Sequence, residues 1–334
     1  MVESNPGGRM DILITEDLTT SEVERLKQEH NVVCDGALWK NPENLKARLV
    51  EARALMVRNQ TLVTADLLAA APKLIAVGRL GVGLDNINVE AASRLGIVIV
   101  APLDANAVSV AELTLGLILA LARKIPLADR STKAGGWDRK GCLGIELEGK
   151  TLAICGFGRI GRLVAARAGA FGLRLLVFDP FVDSRSAALR EAGAVLRPRL
   201  EDILAEADFV TTHSPLTKET RNLFDARTFA AMKRGAFFIN TSRGGVVDEA
   251  ALLAALQSGH LGGAALDVRE IEPPQTKIGF ETMDHVILLP HIGAATTEAQ
   301  TRTFETVAAD LDRLLRGEAA MNFVNFAQTR RDVY

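Results

Sequence analysis

Short apolar runs alternate with amphipathic stretches along nearly the whole chain. This rhythm predicts parallel sheets covered by helices. A first round gives strands ILIT (12–15), VVC (32–34), ALMV (54–57), LIAV (74–77) and IVIV (97–100), with helices near 19–29, 43–52, 64–70 and 89–95. A second round gives LAIC (152–155), LLVF (175–178), FVTT (209–212), AFFIN (236–240), AALDV (264–268) and VILLP (286–290). Six strands is the number expected of a dinucleotide-binding sheet. A last helical stretch, Thr297 to Arg316, has no strand after it. Periodicity leaves open whether it covers the second sheet or returns to the first.

A length of 334 residues suits two domains. Composition adds mainly exclusions. The chain is 48% apolar and 24% charged with a formal net charge of −2, which speaks against disorder and against a nucleic-acid partner. The most apolar segment, Leu113 to Ala122, lies between Glu112 and Arg123 and would span only about 15 Å as a helix, half a bilayer core. It is expected to be a buried helix, with no membrane partner. The opening MVESNPGGRMD has no apolar run and reads as a loose tail rather than a signal peptide or anchor. Cys34, Cys142 and Cys155 form no CxxC and no metal-ligand spacing, so the expectation is free thiols, no metal, and a reducing, cytoplasmic setting.

The second round opens on TLAICGFGRIGRLVAARAG, with glycines at Gly156, Gly158 and Gly161. Glycines alone are common in tight turns. Here an apolar strand precedes them, a helix rich in small residues follows, and Asp179 ends the next strand 18 residues after Gly161. That context predicts a dinucleotide site, with backbone approaching the pyrophosphate at a helix N-terminus. Asp179 would accept from the ribose hydroxyls and repel a 2′-phosphate, which favours NAD over NADP. In open parallel sheets the ligand lies beyond the carboxyl ends of the strands. Of the five histidines only His213 and His291 follow a strand. The residues alone do not choose between them, and either also suits a structural role. The same filter selects Arg58, the glycine-rich VGRLGVGLDN, Arg243 in INTSRGG and Asp267 in ALDV. Arg243, followed by two glycines, is placed to clamp a carboxylate.

Taken in order, VGRLGVGLDNINVEAA (77–92), AELTLGLILALARKIP (111–126), LEGKTLAICGFGRIGR (147–162), HSPLTKET (213–220), INTSRGGVVDEAALLAAL (239–256), GGAALDV (262–268) and LPHIGAAT (289–296) resemble the D-isomer-specific 2-hydroxyacid dehydrogenases, most closely the 3-phosphoglycerate dehydrogenase branch. The resemblance implies two doubly wound parallel-sheet domains: a Rossmann NAD domain (105–295) inserted into a flavodoxin-like substrate domain built from 1–104 and 296–334. It implies hydride transfer between NAD and C2 of a small anionic 2-hydroxy or 2-oxo acid. Arg243, Glu272 and His291 take the places of the catalytic trio. A glutamine stands at the position of Glu272 in the related formate dehydrogenases, so the glutamate speaks against that chemistry.

Cofactor contacts implied by the same match are Gly156, Gly158, Arg159, Ile160 and Gly161 at the pyrophosphate, and Asp179 at the ribose. Ser214 and Pro215 fall beneath the adenosine. Thr241, Ser242 and Asp267 fall near the nicotinamide, with Gly293 and Ala294 after the histidine. The substrate carboxylate would meet the N–H groups of Leu80, Gly81 and Val82, with Arg58 nearby. Two departures stand out: Val82 replaces a frequent threonine, and Arg58-Asn59-Gln60-Thr61 replaces Arg-Ser-x-Thr. The amides suit a different polar tail, so hydroxypyruvate, glyoxylate and sulfolactate chemistry are the alternatives within the class. An NADH-sensing corepressor is the alternative outside it. The stretch AGGWDRKGCLG (134–144) resembles an arm that packs on a second subunit, which implies a homodimer, and Arg139 or Lys140 is the candidate to reach the partner's site.

Overall fold

A computed structural model describes residues 10–17 and 21–331. The expected N-terminal tail, save its last two residues, and the first two residues of the expected 19–29 helix lie outside the described residues. The chain divides into two compact units: one runs up to Asn106 and resumes at Ala295, and the other is Ala107–Ala294.

The first unit holds β1 (Ile12–Ile14), α1 (Ser21–Glu29), β2 (Val32–Cys34), α2 (Pro42–Leu49), β3 (Ala54–Val57), α3 (Ala65–Ala69), β4 (Ala76–Arg79), α4 (Val89–Arg94) and β5 (Val98–Val100). The strands pair in parallel in the order β2-β1-β3-β4-β5. Alternate residues of one strand serve opposite faces of the sheet. Ile12 and Ile14 join one apolar cluster, whereas Leu13 joins the other. Because both faces are covered, the strands are continuous apolar runs, and that is why they can be read from sequence.

The second unit holds α5 (Ala107–Ala122), α6 (Ile125–Lys133), β6 (Thr151–Cys155), α7 (Arg159–Gly169), β7 (Arg174–Phe178), α8 (Ala187–Glu191), β8 (Val195–Leu196), α9 (Leu200–Leu204), β9 (Phe209–Thr212), α10 (Ala226–Ala231), β10 (Phe237–Asn240), α11 (Glu249–Gln257), β11 (Gly263–Leu266) and β12 (Val286–Leu288). Its sheet runs β12-β11-β10-β9-β6-β7-β8, all parallel. The expected six strands are therefore seven. The added β8 is two residues long and pairs only with β7, too short to carry an apolar pattern. Among the described residues no helix is long and apolar enough to cross a membrane, and the most apolar one, α5, is buried along most of its length.

The final helix, α12 (Thr297–Leu315), is capped by Thr296 and belongs to the first unit. Phe304, Val307, Ala308 and Leu311 lie in the same cluster as Ile12, Met56 and Val98. Its approach explains a second correction. The strand expected at 74–77 runs instead from Ala76 to Arg79. Gly78 continues it without an apolar side chain because a Cβ there would sit 2.5 Å from Val307 Cγ1.

Candidate active site

The register of the second sheet sets Cys155 beside Phe178 and Thr212, and Thr212 beside Asn240. The residues that follow, Gly156, Asp179, His213 and Thr241, therefore leave one edge of the sheet together. The strand order reverses between β7 and β9, on either side of β6, which is where such sheets bind ligands.

The glycine turn is built for close approach. Gly156 has φ +93°, open to glycine at little cost. A Cβ on Gly161 would lie 2.2 Å from the Gly156 carbonyl oxygen, so only glycine lets α7 pack there. Among the described residues, nothing stands within 4 Å of a Cβ on Gly158, the residue before α7, and no side chain caps that helix. The space beside Gly158 is thus a cradle with Arg159 and Ile160 in the first turn and the positive end of the helix dipole behind it. Asp179 accepts the Phe157 N–H at 2.7 Å on one oxygen and the Phe181 N–H at 2.9 Å on the other, which fixes the carboxylate beside the turn. At the end of β9, Thr212 Oγ1 and His213 Nδ1 are buried polar atoms without a partner among the described residues. An open cradle, a fixed carboxylate and orphaned polar atoms fit a dinucleotide. Ser214 is buried with its hydroxyl near the Cys155 carbonyl, and Pro215 is exposed.

Burial separates the two strand-end histidines. His213 is pushed down to about 3 by loss of solvent, so it stays neutral at neutral pH. Its Nε2 meets Thr211 Oγ1 at 3.2 Å. His291 has a carboxylate instead: Nδ1 and Glu272 Oε2 are 2.6 Å apart. Since an ionised carboxylate only accepts, Nδ1 carries a proton and Nε2 is left as the atom that exchanges one. The hydrogen bond to Glu272 raises His291 above the usual imidazole value, against desolvation and the Arg243 charge. Burial alone would push Glu272 up, but the bonds from His291 and the Arg269 N–H, with the charges of His291 and Arg243, hold it below the usual carboxylate range. The trio is therefore one electrostatic group.

Backbone geometry aims these side chains. Asn240 Oδ1 accepts from both the N–H and the hydroxyl of Ser242, and its Nδ2 donates to the Arg243 carbonyl, which shapes the turn carrying Arg243. Thr241 Oγ1 is 2.9 Å from Thr114 Oγ1, whose proton goes to the Val110 carbonyl. Thr241 must then donate to Thr114, which leaves it an acceptor toward a ligand. His291 has φ +56°, uncommon for a residue with a Cβ. Asp267 holds it there. The Asp267 carbonyl accepts the His291 N–H at 2.8 Å, and its two carboxylate oxygens accept the N–H groups of Ile292 and Gly293, each at 2.8 Å. A Cβ on Gly293 would lie 3.0 Å from Asp267 Oδ2; Ala294 follows it.

In the first unit the Arg58 loop is organised by Glu16, a buried carboxylate that accepts the N–H groups of Arg58, Gln60 and Thr61 and the Thr61 hydroxyl. Asn86 ties the same loop through the carbonyls of Arg58 and Thr61. The Leu80 N–H bonds to the Val57 carbonyl and the Gly81 N–H to the Arg79 carbonyl, so these two groups, expected to meet the substrate carboxylate, are already engaged. Gly81 turns beneath Arg79, whose guanidinium would be 2.1 Å from a Cβ there. Val82 follows, half-buried. The strand-tip reading does not name Glu16, although it directly follows the expected strand ILIT. Arg79 lies inside the selected VGRLGVGLDN stretch but is not singled out there, because an arginine near a strand tip carries no mark of its own.

Residues 115–293 match the family described as D-isomer specific 2-hydroxyacid dehydrogenase, NAD binding domain. The chain is 45% identical over 94% of its length to D-3-phosphoglycerate dehydrogenase of Methanocaldococcus jannaschii, covering 59% of that protein. It is 46% identical over 85% of its length to the Homo sapiens D-3-phosphoglycerate dehydrogenase, covering 52%. The chain thus spans between half and three fifths of these relatives. Among solved structures it superposes with a TM-score of 0.84 on D-lactate dehydrogenase from Aquifex aeolicus complexed with NAD and lactic acid, at 29% identity, covering 94% of this chain and 99% of that one.

Proposed function

Because the chain belongs to the D-isomer-specific 2-hydroxyacid dehydrogenase family, we infer that it interconverts a small D-2-hydroxy acid and the corresponding 2-oxo acid with NAD. The observation that carries this reading is the His291–Glu272 pair standing within the field of Arg243.

In the oxidation direction His291 Nε2 takes the proton of the C2 hydroxyl as the C2–H bond breaks. In reduction it returns that proton to the C2 oxygen. Glu272 keeps the ring in one tautomer and favours its charged form. Arg243 binds the substrate carboxylate and the C2 oxygen, where charge changes most. Bound NAD supplies the nicotinamide carbon that accepts or gives up the hydride. Gly156, Gly158, Arg159, Ile160 and Gly161 would hold its pyrophosphate, Asp179 its adenosine ribose, and Ser214 with Pro215 the adenosine side. Thr241, Ser242, Asp267, Gly293 and Ala294 would line the nicotinamide end, with Thr241 accepting from an amide N–H.

Arg58, Arg79 and the Val82 N–H would bind the acid itself, the Leu80 and Gly81 N–H groups being taken by backbone carbonyls. Two arginines in the substrate-domain candidate fit a doubly anionic tail, and the identity to D-3-phosphoglycerate dehydrogenases supports 3-phosphoglycerate as the substrate. The arm also supports a dimer. Helix α6 buries none of its residues, and Ile125, Trp137 and Leu143 are exposed. The free thiols of Cys34, Cys142 and Cys155 suit a cytoplasmic setting.

Steady-state reduction of a panel of 2-oxo acids with NADH tests the reading. Preference for phosphohydroxypyruvate over hydroxypyruvate and glyoxylate is the expected result. Tight NADH binding without turnover of any 2-oxo acid would defeat it.

A further inference from the structure

Glu272 orients His291, but Glu272 is itself held through the backbone of another residue. The Arg269 N–H donates to Glu272 Oε1 at 2.9 Å. Arg269 in turn is fixed by a buried ion pair. Its Nε and Nη2 donate to Glu249 Oε1 and Oε2 at 2.8 and 2.9 Å, so the guanidinium fork meets both carboxylate oxygens. The side chains are only 8% and 13% exposed. Glu249 Oε1 also accepts the Glu270 N–H at 2.8 Å. The guanidinium lies 5.2 Å from the centre of the Phe280 ring, with Glu281 Oε1 3.7 Å from Nη1.

Such a pair is a weak source of net stability, since desolvating both charges cancels much of their attraction, and apolar residues of similar volume often serve as well. What it does here is geometric. It anchors two successive residues, Arg269 and Glu270, at the start of the segment that delivers Glu272. The Arg269 carbonyl also packs on the turn that carries Arg243, where a Cβ on Gly244 would lie 1.8 Å from that oxygen. One backbone unit therefore touches both the Arg243 turn and the carboxylate that orients His291.

The geometry points to Glu249 and Arg269 as a positioning pair for the acid–base group, acting through the backbone of residues 269–272 without touching substrate. This rests on the reading of His291 and Glu272 as that group. The groups that face His291 are Glu272, Asp267 and Arg243, and all three are retained in the test variants. Those variants are Glu249→Gln and the neutral double variant Glu249→Gln/Arg269→Met, which leaves no lone charge buried.

Three quantities are measured on the full chain: the His291 ring titration by NMR without substrate, kcat and KM for 2-oxo acid reduction, and the Kd of NADH. The expected result is a fall in kcat of about 10–100-fold in both variants, the scale of a small misplacement of catalytic groups. The Kd of NADH should stay within about twofold, since the pair makes no ground-state contact to it. The His291 titration should move toward that of an ordinary imidazole. Arg269→Lys, a point charge in place of a fork, should restore kcat only in part. An unchanged His291 titration, with kcat of the double variant near that of the active parent, overturns the positioning role and leaves the function intact. A moved titration in a chain that turns over no 2-oxo acid sustains the positioning role while defeating the functional reading.

Discussion

Asp267→Asn exchanges atoms of nearly equal size, so it tests electrostatics without opening a cavity. In the native structure both carboxylate oxygens accept backbone N–H groups, from Ile292 and Gly293, in a residue that is 1% exposed. Asparagine has one oxygen and one NH₂. Whichever way it turns, one backbone N–H faces a donor and loses its partner, while the remaining bond becomes neutral. Losing a hydrogen bond to a charged group costs about 1.5–3 kcal/mol, and orphaning a buried N–H belongs to the same range, so a total near 3 kcal/mol is a fair working figure. Those bonds hold His291 at φ +56°, a conformation that itself costs roughly 1–2 kcal/mol. If the segment drifts, about 3 kcal/mol at the chemical step corresponds to about a hundredfold loss of kcat. The assay is steady-state reduction of a 2-oxo acid by NADH, read beside thermal unfolding. A variant with parental kcat and an unchanged melting temperature would refute the claim that the Asp267 carboxylate aims His291.

His291→Ala should lower turnover by about 10²–10⁴-fold in either direction, with NADH binding retained by fluorescence titration. Because Glu272 raises His291, kcat/KM for reduction should fall as pH climbs through a value above that of free imidazole, and kcat/KM for oxidation should rise over the same interval. Glu272→Gln should move both limbs to lower pH. The stability sign follows from the same shifts. The contribution of His291 is fully present below its unfolded value and is lost as pH rises through the raised one. That of Glu272 is lost as pH falls through its depressed value. Asp179→Ala should weaken NADH binding and narrow the preference over NADPH, since the carboxylate that repels a 2′-phosphate is gone.

Buried parallel strands are the part of this molecule that a sequence displays best. β3, read as ALMV, and β9, read as FVTT, have the expected bounds because every residue in them faces one core or the other. β8 and the last two residues of β4 were not legible: an edge strand of two residues has no period, and glycine under a crossing helix carries no apolar mark. The site divides in the same way. The glycine turn is readable since only glycine tolerates those approaches. The choice between His213 and His291 is not, because it depends on a carboxylate 2.6 Å from one ring and on burial of the other. Asp267 is legible at its strand tip, but its hold on the His291 segment is not, and Glu16 goes unnamed for the same reason: both carboxylates act on backbone N–H groups that almost any residue could supply.

The most direct test of hydride transfer at C2 is to reduce a 2-oxo acid with nicotinamide-deuterated NADH and analyse the product by mass spectrometry and chiral chromatography. The account predicts a D-2-hydroxy acid carrying the label at C2. A product without label, or one of the opposite hand, would contradict it.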